Sequence, residues 1–246
     1  NREPLRNDFV DAVGQKPEHE THFDLEDGYK HTSDQHSIHI NFYRMDYKNQ
    51  LVLTGEVNDV GAFIRSNVGE SYRMGIELEG LVRLNKNLIW NANLTVSRNR
   101  NKEFTEILTD YGADFAEENI IERRHTDTDI SFSPDIIAGS GLSCLPFKGL
   151  EVSLLTKYVG QQYLDNTSSA ARSIDPYLVN DVRINYTWQP AFAREVVFGL
   201  LVNNILNTAY SSNGYTWGYL AGDEYRENYY YPQAGRNFMA MVSLKF

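Results

Sequence analysis

The chain has one cysteine, Cys144, in 246 residues, so no intrachain disulfide can form. It has no run of 18 apolar residues, which excludes a transmembrane helix. Cations are scarce beside anions: 23 Lys and Arg stand against 33 Asp and Glu, for a net charge of −10. That balance argues against nucleic acid or an anionic lipid surface as a partner. No export signal is present and the chain opens on Asn1 rather than Met, so a mature chain or a fragment is expected.

What the chain does have is alternation. In its last eleven residues Phe238, Ala240, Val242, Leu244 and Phe246 share one parity. Asn237, Met239, Ser243 and Lys245 share the other, and Met241 is the one misfit. Period 2 marks a strand with one dry face. Its length suits a tilted membrane-spanning strand of roughly 9–11 residues. Mean hydropathy is only −0.47, as a barrel allows when alternate residues alone face lipid. Sixteen Tyr and twelve Phe supply the aromatics that barrel girdles need.

The same frame recurs upstream. Strands are predicted at 20–30, 38–53, 72–84, 88–98, 135–145, 150–159, 177–188, 195–206 and 236–246, nine in all. Between 72 and 84, Met74, Ile76, Leu78, Val82 and Leu84 lie on one face, and Arg73, Glu77, Glu79 and Arg83 lie on the other. A lipid wall over a wet lumen demands that split. Residues 1–19, 54–71, 99–134, 160–176 and 207–235 read as loops, with a short helix expected over Phe115 to Ile121. The 99–134 segment holds nine carboxylates against four cations, a net of −5.

Short connections follow Lys30, Leu84, Leu145 and Trp188, and long ones follow Leu53, Arg98, Val159 and Leu206. Short periplasmic turns and long external loops give that alternation in outer-membrane barrels. The fold class is therefore all-β, antiparallel and up-and-down, a transmembrane β-barrel. Trp90, Tyr186 and Trp188 fall near the periplasmic interface, and Tyr158 and Phe238 near the outer one. Nine strands cannot close a single-chain bacterial barrel, which uses an even number. The first and last strands are accordingly expected not to pair with each other.

Five segments carry a resemblance to a known family. They are NREPLRNDFVDA at 1–12, MGIELEG at 74–80, YVGQQYLDNT at 158–167, VNNILNTAY at 202–210 and AGR at 234–236. In order and spacing they resemble the C-terminal part of the barrel of TonB-dependent outer-membrane receptors, of a Bacteroidetes-like kind. The resemblance implies a 22-stranded barrel around an N-terminal plug. At about 27 residues per strand that barrel needs on the order of 600 residues. Residues 1–246 are then its C-terminal portion, without the plug and the N-terminal strands. It implies uptake of a scarce ligand across the bacterial outer membrane, energised by the TonB complex through the plug. A siderophore-like iron chelate or haem is the first expectation for the ligand, an oligosaccharide the second. Outer-membrane lipid and the barrel-assembly machinery are the other implied partners, the latter reading Phe246 as an assembly signal. A small self-contained barrel acting as a passive pore or adhesin, and a soluble β-sandwich binding module, are the alternatives.

Candidate chemistry is sparse. No nucleophile, base and orienting group assemble, so no catalytic residue and no enzyme activity is expected. Glu77 and Glu79 share their face with Arg73 and Arg83, which reads as ion-paired lumen wall rather than an acid–base pair. His31, His36 and His39, like His19 and His22, read as solvated residues, with a metal site as the alternative. The acidic 99–134 loop has oxygens enough for calcium but no calcium-loop spacing. No metal and no cofactor is expected. Tyr215, Trp217, Tyr219, Tyr225, Tyr229 and Tyr230 would stack on a ligand at the outer mouth, or on neighbouring loops. Asn203, Asn204 and Asn207 are expected to cap a strand end through turn hydrogen bonds.

Overall fold

The computed structural model describes residues 9, 16–58, 60–116 and 118–246. In chain order its strands are β1 (Thr21–Thr32), β2 (His36–Val57), β3 (Phe63–Asn85), β4 (Leu88–Asp110), β5 (Asn119–Asp129), β6 (Ile136–Cys144) and β7 (Leu150–Val159). Then follow β8 (Gln162–Tyr163), a 3-10 turn (Ala170–Arg172), β9 (Ser173–Ile174), β10 (Tyr177–Trp188), β11 (Glu195–Asn203), β12 (Ser211–Ala221), β13 (Asp223–Pro232) and β14 (Asn237–Lys245). Most of the polar stretch at 1–19, with the first family-like segment, lies outside the described residues.

Nine strands form one antiparallel wall in the order β1-β2-β3-β4-β6-β7-β10-β11-β14. These are the nine expected from alternation. β1 and β14 stand at opposite ends of the path and do not pair. Register keeps each parity on one face. Tyr29, Ile40, Leu78, Leu94, Ala138, Tyr158 and Leu178 lie side by side across seven strands. One residue along, Lys30, His39, Glu79, Asn93, Gly139 and Lys157 form a polar row. The apolar face is bare: Tyr29 is 62% exposed, Leu178 44% and Leu78 39%. A sandwich would bury such a face; a lipid-facing wall displays it. Met241, out of step in the sequence, sits opposite Gly199 and lies against it.

Three predicted loops prove to be hairpins, because strand pairing continues beyond the amphipathic band. β2 and β3 run on through 54–71 as far as Val57 and Phe63, with a register irregularity between Leu53 and Val57. Gly55 sits at φ +96°, and a Cβ there would stand 2.6 Å from the Leu164 carbonyl. Only glycine serves at that contact. β4 extends to Asp110 and pairs with β5, and the expected helix at 115–121 does not form among the described residues. Phe115 is in the left-handed region and Ile120 and Ile121 are cross-strand partners of Thr109 and Leu108. Ladder pairing of β-branched residues outweighs the weak local helix signal. The 207–235 loop holds the β12–β13 hairpin, turned at Gly222.

Buried side chains gather at the long-connection end, beyond the amphipathic band. Val52, Val68, Phe104 and Ile130 form one cluster. Val159, Tyr177 and Val179 form another, covered by Tyr210. At the opposite end Phe147, Tyr186, Trp188, Phe192 and Phe198 make an aromatic belt, with ring pairs such as Trp188–Phe192 at 5.8 Å.

Candidate functional site

The site grows from the tail of β11. Asn204 and Asn207 both take positive φ, which turns the chain away from the wall. The Asn204 side chain is 2% exposed; its amide donates to the Thr208 carbonyl at 2.9 Å and its oxygen accepts from Thr208 N at 2.9 Å. Asn204 N donates to Asp181 at 2.7 Å, and Asn207 Oδ1 accepts from Arg236 N at 2.9 Å. Asn203 donates to Asn237 at 2.8 Å across the pair of wall strands. These asparagines fix both ends of the excursion, so Tyr210 stacks on Tyr177 at 4.5 Å and β12 leaves across the inner face.

β12 reaches the outer end of β4, where Leu220 meets Asp110 and Tyr111 N donates to the Leu220 carbonyl at 2.9 Å. Alternation divides the hairpin into two faces. Tyr215, Trp217, Tyr219, Tyr225, Tyr229 and Tyr231 share one. Tyr215 stacks on Tyr229 at 4.7 Å and Tyr219 on Tyr225 at 5.2 Å, with Trp217 beside Tyr219 at 5.1 Å. Tyr111 and Phe115 from the β4–β5 hairpin extend the array against Tyr219. Five of the six predicted aromatics thus lie together. Tyr230 lies on the other face, where its hydroxyl donates to the Ser173 carbonyl at 3.0 Å.

That second face is a seat. Thr216 is 1% exposed, and Asn228 donates to the Ala171 carbonyl at 2.7 Å. At Gly218 an added Cβ would stand 2.5 Å from Arg226 Nε and 2.7 Å from the Tyr225 carbonyl. Arg226 reaches Glu106 of β4 at 2.7 Å. Glu106 also takes Arg172 at 2.7 Å and His125 at 3.1 Å. Arg172 holds Asp165 at 2.7 Å, and Glu224 takes Arg123 at 2.5 Å and Arg226 at 3.3 Å. Burial pushes the Glu106 carboxyl up, but Arg172 and Arg226, with the His125 contact, more than offset it and hold the group below its usual range. Three long connections are thereby joined by one network of three arginines and three carboxylates.

Beneath the network the family-like segment at 158–167 is a buried fastening. Leu164 and Asn166 are fully buried. Asn166 donates to the Leu53 carbonyl at 2.6 Å and accepts from Ser131 N at 2.9 Å and Asn101 at 3.2 Å. Between this layer and the aromatic face lies a cavity of about 200 Å³, lined among others by Trp217, Tyr219, Tyr111, Phe104, Glu106 and Asp165.

Sequence reasoning missed Glu106, Arg172, Arg226 and Asn166. Two signals were available: Glu106 is a lone charge on the Phe104–Leu108 parity, and Arg226 is the only cation in the hairpin. The remaining candidates lie elsewhere. Among the described residues no group of three or more His, Cys, Asp or Glu is placed to hold a metal. His36 contacts Ser33 at 3.0 Å, His39 lies 3.9 Å from Glu79, and His22 stacks on Tyr47. Arg73 donates to Ser133 at 2.9 Å and Glu77 accepts from Asn41 at 3.4 Å, and among the described residues the two form no ion pair with each other.

The sequence profile described as "TonB dependent receptor-like, beta-barrel" matches residues 4–207. The chain belongs to this family. No curated protein matches it. Among solved structures the receptor chain is similar to the ferric yersiniabactin uptake receptor FyuA of Yersinia pestis, at TM-score 0.62 and 17% identity over 91% of this chain and 29% of that one. It is similar to the copper transporter OprC, at 0.62 and 18% over 92% and 32%. It is similar to the siderophore receptor PiuA of Acinetobacter baumannii, at 0.61 and 15% over 91% and 28%. The chain spans under a third of the length of these structures. The likeness shows the fold, one part of the wall of a receptor β-barrel.

Proposed function

We propose that this chain is the C-terminal part of the barrel of a TonB-driven uptake receptor, and that ligand is received on the aromatic face of β12–β13. The observation that carries this reading is the hairpin itself: it folds across the inner face of the wall and closes one side of a cavity. A passive pore needs no docked hairpin, whereas here an ion-paired hairpin is held on the outer end of β4 beside a cavity. A plug domain, the earlier strands of the barrel and contact with TonB belong to the same proposal. The named neighbours take ferric chelates and copper. At 15–18% identity those ligands do not transfer to this chain, so the ligand class rests on the site's own chemistry.

The test is genetic. A strain lacking this receptor and a strain lacking TonB are grown on a panel of carbon and iron sources. The expected result is a source on which both strains fail and the parent grows. Uptake that survives loss of TonB would favour the passive pore.

A further inference from the structure

Charge is unevenly placed along the wall. The long connections 54–71, 99–134, 160–176 and 207–235 carry net charges of −2, −5, −1 and −2, which equal the whole chain's −10. The short turns reverse the sign: residues 33–35, 86–87, 145–149 and 189–194 hold Lys86, Lys148 and Arg194 against one carboxylate, Asp34. Net charge argues against an anionic lipid surface for the chain as a whole, but not at this end. Topology sets the three cations in a line. The hairpins β3–β4, β6–β7 and β10–β11 are consecutive along the wall, so their turns follow one another on one rim. With strands about 4.8 Å apart, successive turns repeat at roughly 10 Å. All three side chains are exposed, and among the described residues none forms an ion pair. Lys30 and Arg83, near the same rim, belong to the polar face, and Lys245 is held by Glu195 at 2.8 Å. Beyond the apolar band at the opposite end the protein supplies its own counterions. Arg44 holds Asp46 at 2.8 Å, Arg98 holds Asp127 at 3.3 Å, Arg100 holds Asp129 at 3.0 Å and Lys102 holds Glu70 at 2.5 Å. Lys48 alone of that group lacks such a partner among the described residues. The short-turn rim also carries the aromatic belt. Phe147 adjoins Lys148 and is 59% exposed, and Phe192, two residues before Arg194, is 65% exposed and packs on Trp188 at 5.8 Å. Exposed aromatics of this kind settle at headgroup level, which sets the depth of the cations beside them. Cations at that depth without a protein counterion are matched by phosphate, which accepts charge-assisted hydrogen bonds from lysine and arginine alike.

We propose that the short-turn rim is a binding surface for anionic glycerophospholipids, whose headgroup phosphates pair with Lys86, Lys148 and Arg194 while their acyl chains lie along the apolar rows of the wall. The surface is separate from the cavity and the β12–β13 hairpin, so it goes beyond the uptake reading and holds whatever ligand the receptor takes. Each cation beside an anionic lipid surface contributes about fivefold in affinity, so three together contribute on the order of a hundredfold.

The test uses the full receptor purified in detergent from outer membranes. The probes are phosphatidylglycerol, phosphatidylcholine as the zwitterionic control, and inorganic phosphate as a competitor, with bound lipid counted by native mass spectrometry. The expected result is phosphatidylglycerol bound at least tenfold tighter than phosphatidylcholine, a preference that shrinks as salt rises, and no displacement by millimolar phosphate. The combined variant Lys86→Gln, Lys148→Gln and Arg194→Gln should lower phosphatidylglycerol affinity at least tenfold and leave phosphatidylcholine unchanged. Lys48→Gln, at the opposite end, should change neither. Heat-modifiable migration on a gel reports that the variants are folded, and Lys148→Gln alone, a change at one exposed turn, should still weaken phosphatidylglycerol severalfold. Equal affinity for the two lipids, a preference untouched by the combined variant, or displacement by inorganic phosphate would overturn the proposal. The growth panel is a separate readout, so the uptake reading and the lipid reading can fail independently.

Discussion

Leu78 and Glu79 are neighbours in β3 with opposite surroundings. Leu78 lies in the apolar row between Ile40 and Leu94, and Glu79 in the polar row beside His39. An arginine on the lipid face at mid-bilayer depth destabilises a barrel by about 2–4 kcal/mol, whereas the lumen tolerates charge. Leu78→Arg should therefore deplete the receptor from outer-membrane fractions while Glu79→Arg leaves its level near normal. Equal levels would refute the assigned frame. Arg226 poses a different question, because it lies among partners rather than lipid. Removing one member of a buried ion pair typically costs about 3–5 kcal/mol, since the carboxylate left behind keeps its burial without its counterion. Arg226→Ala should loosen the hairpin and expose it to protease at neutral pH. Glu106 sets the pH behaviour of the same joint. Its carboxyl is held below the usual 4.5, so its contribution is present above that value and is lost as pH falls through the lower folded one. Wild-type hairpin should resist protease at pH 5 and open only well below pH 4.5. Opening between pH 5 and 7 would mean that some other group governs the docking.

At the scale of elements, legibility followed the lipid boundary. Each of the nine wall strands was readable because one face meets lipid and the other meets water, which imposes period 2 on the residues themselves. Beyond the membrane no such asymmetry acts. β5, β12 and the outer reaches of β2, β3 and β4 are held by ladder hydrogen bonds and by contacts with other hairpins, and neither leaves a local pattern. Thus Thr54 to Ser71 read as loop although most of it is strand, and Glu106 to Arg226 could not be anticipated as a pair 120 residues apart. The tyrosines were visible by composition, but their division into a stacked face and a seated face needed the register of β12 on β13. β14 is the element where the sequence pattern and the proposed assembly role coincide. Its apolar side carries Phe238 and Val242, and Phe246 follows it at 90% exposed. Deleting Phe246 should lower the outer-membrane level of the receptor severalfold, measured by fractionation and heat-modifiable migration. Undiminished levels would remove this residue from the assembly signal.

For the molecule as a whole, the wall has two lateral edges. β1 is exposed along all twelve residues and β14 along nearly its whole length, and among the described residues β1 pairs only with β2 and β14 only with β11. Each edge therefore presents a row of backbone N–H and C=O groups at membrane depth. Lipid offers those groups no partner, and each unsatisfied one costs several kcal/mol, so bare edges are incompatible with the bilayer. The apolar face runs onto both edge strands: Phe23, Leu25 and Tyr29 on β1 and Phe238, Val242 and Leu244 on β14 are all more than half exposed. Both edges must then be hydrogen-bonded to strands other than these nine in the membrane-embedded receptor. Hydrogen exchange of the assembled receptor in lipid discs reads this directly. Amides of β1 and β14 should exchange as slowly as those of β3 and β7 in the middle of the wall, and at least a hundredfold slower than the Asn58–Ala62 turn. Fast exchange confined to β1 and β14, with the middle of the wall protected, would show open edges and would sink the reading of this wall as one arc of a closed barrel.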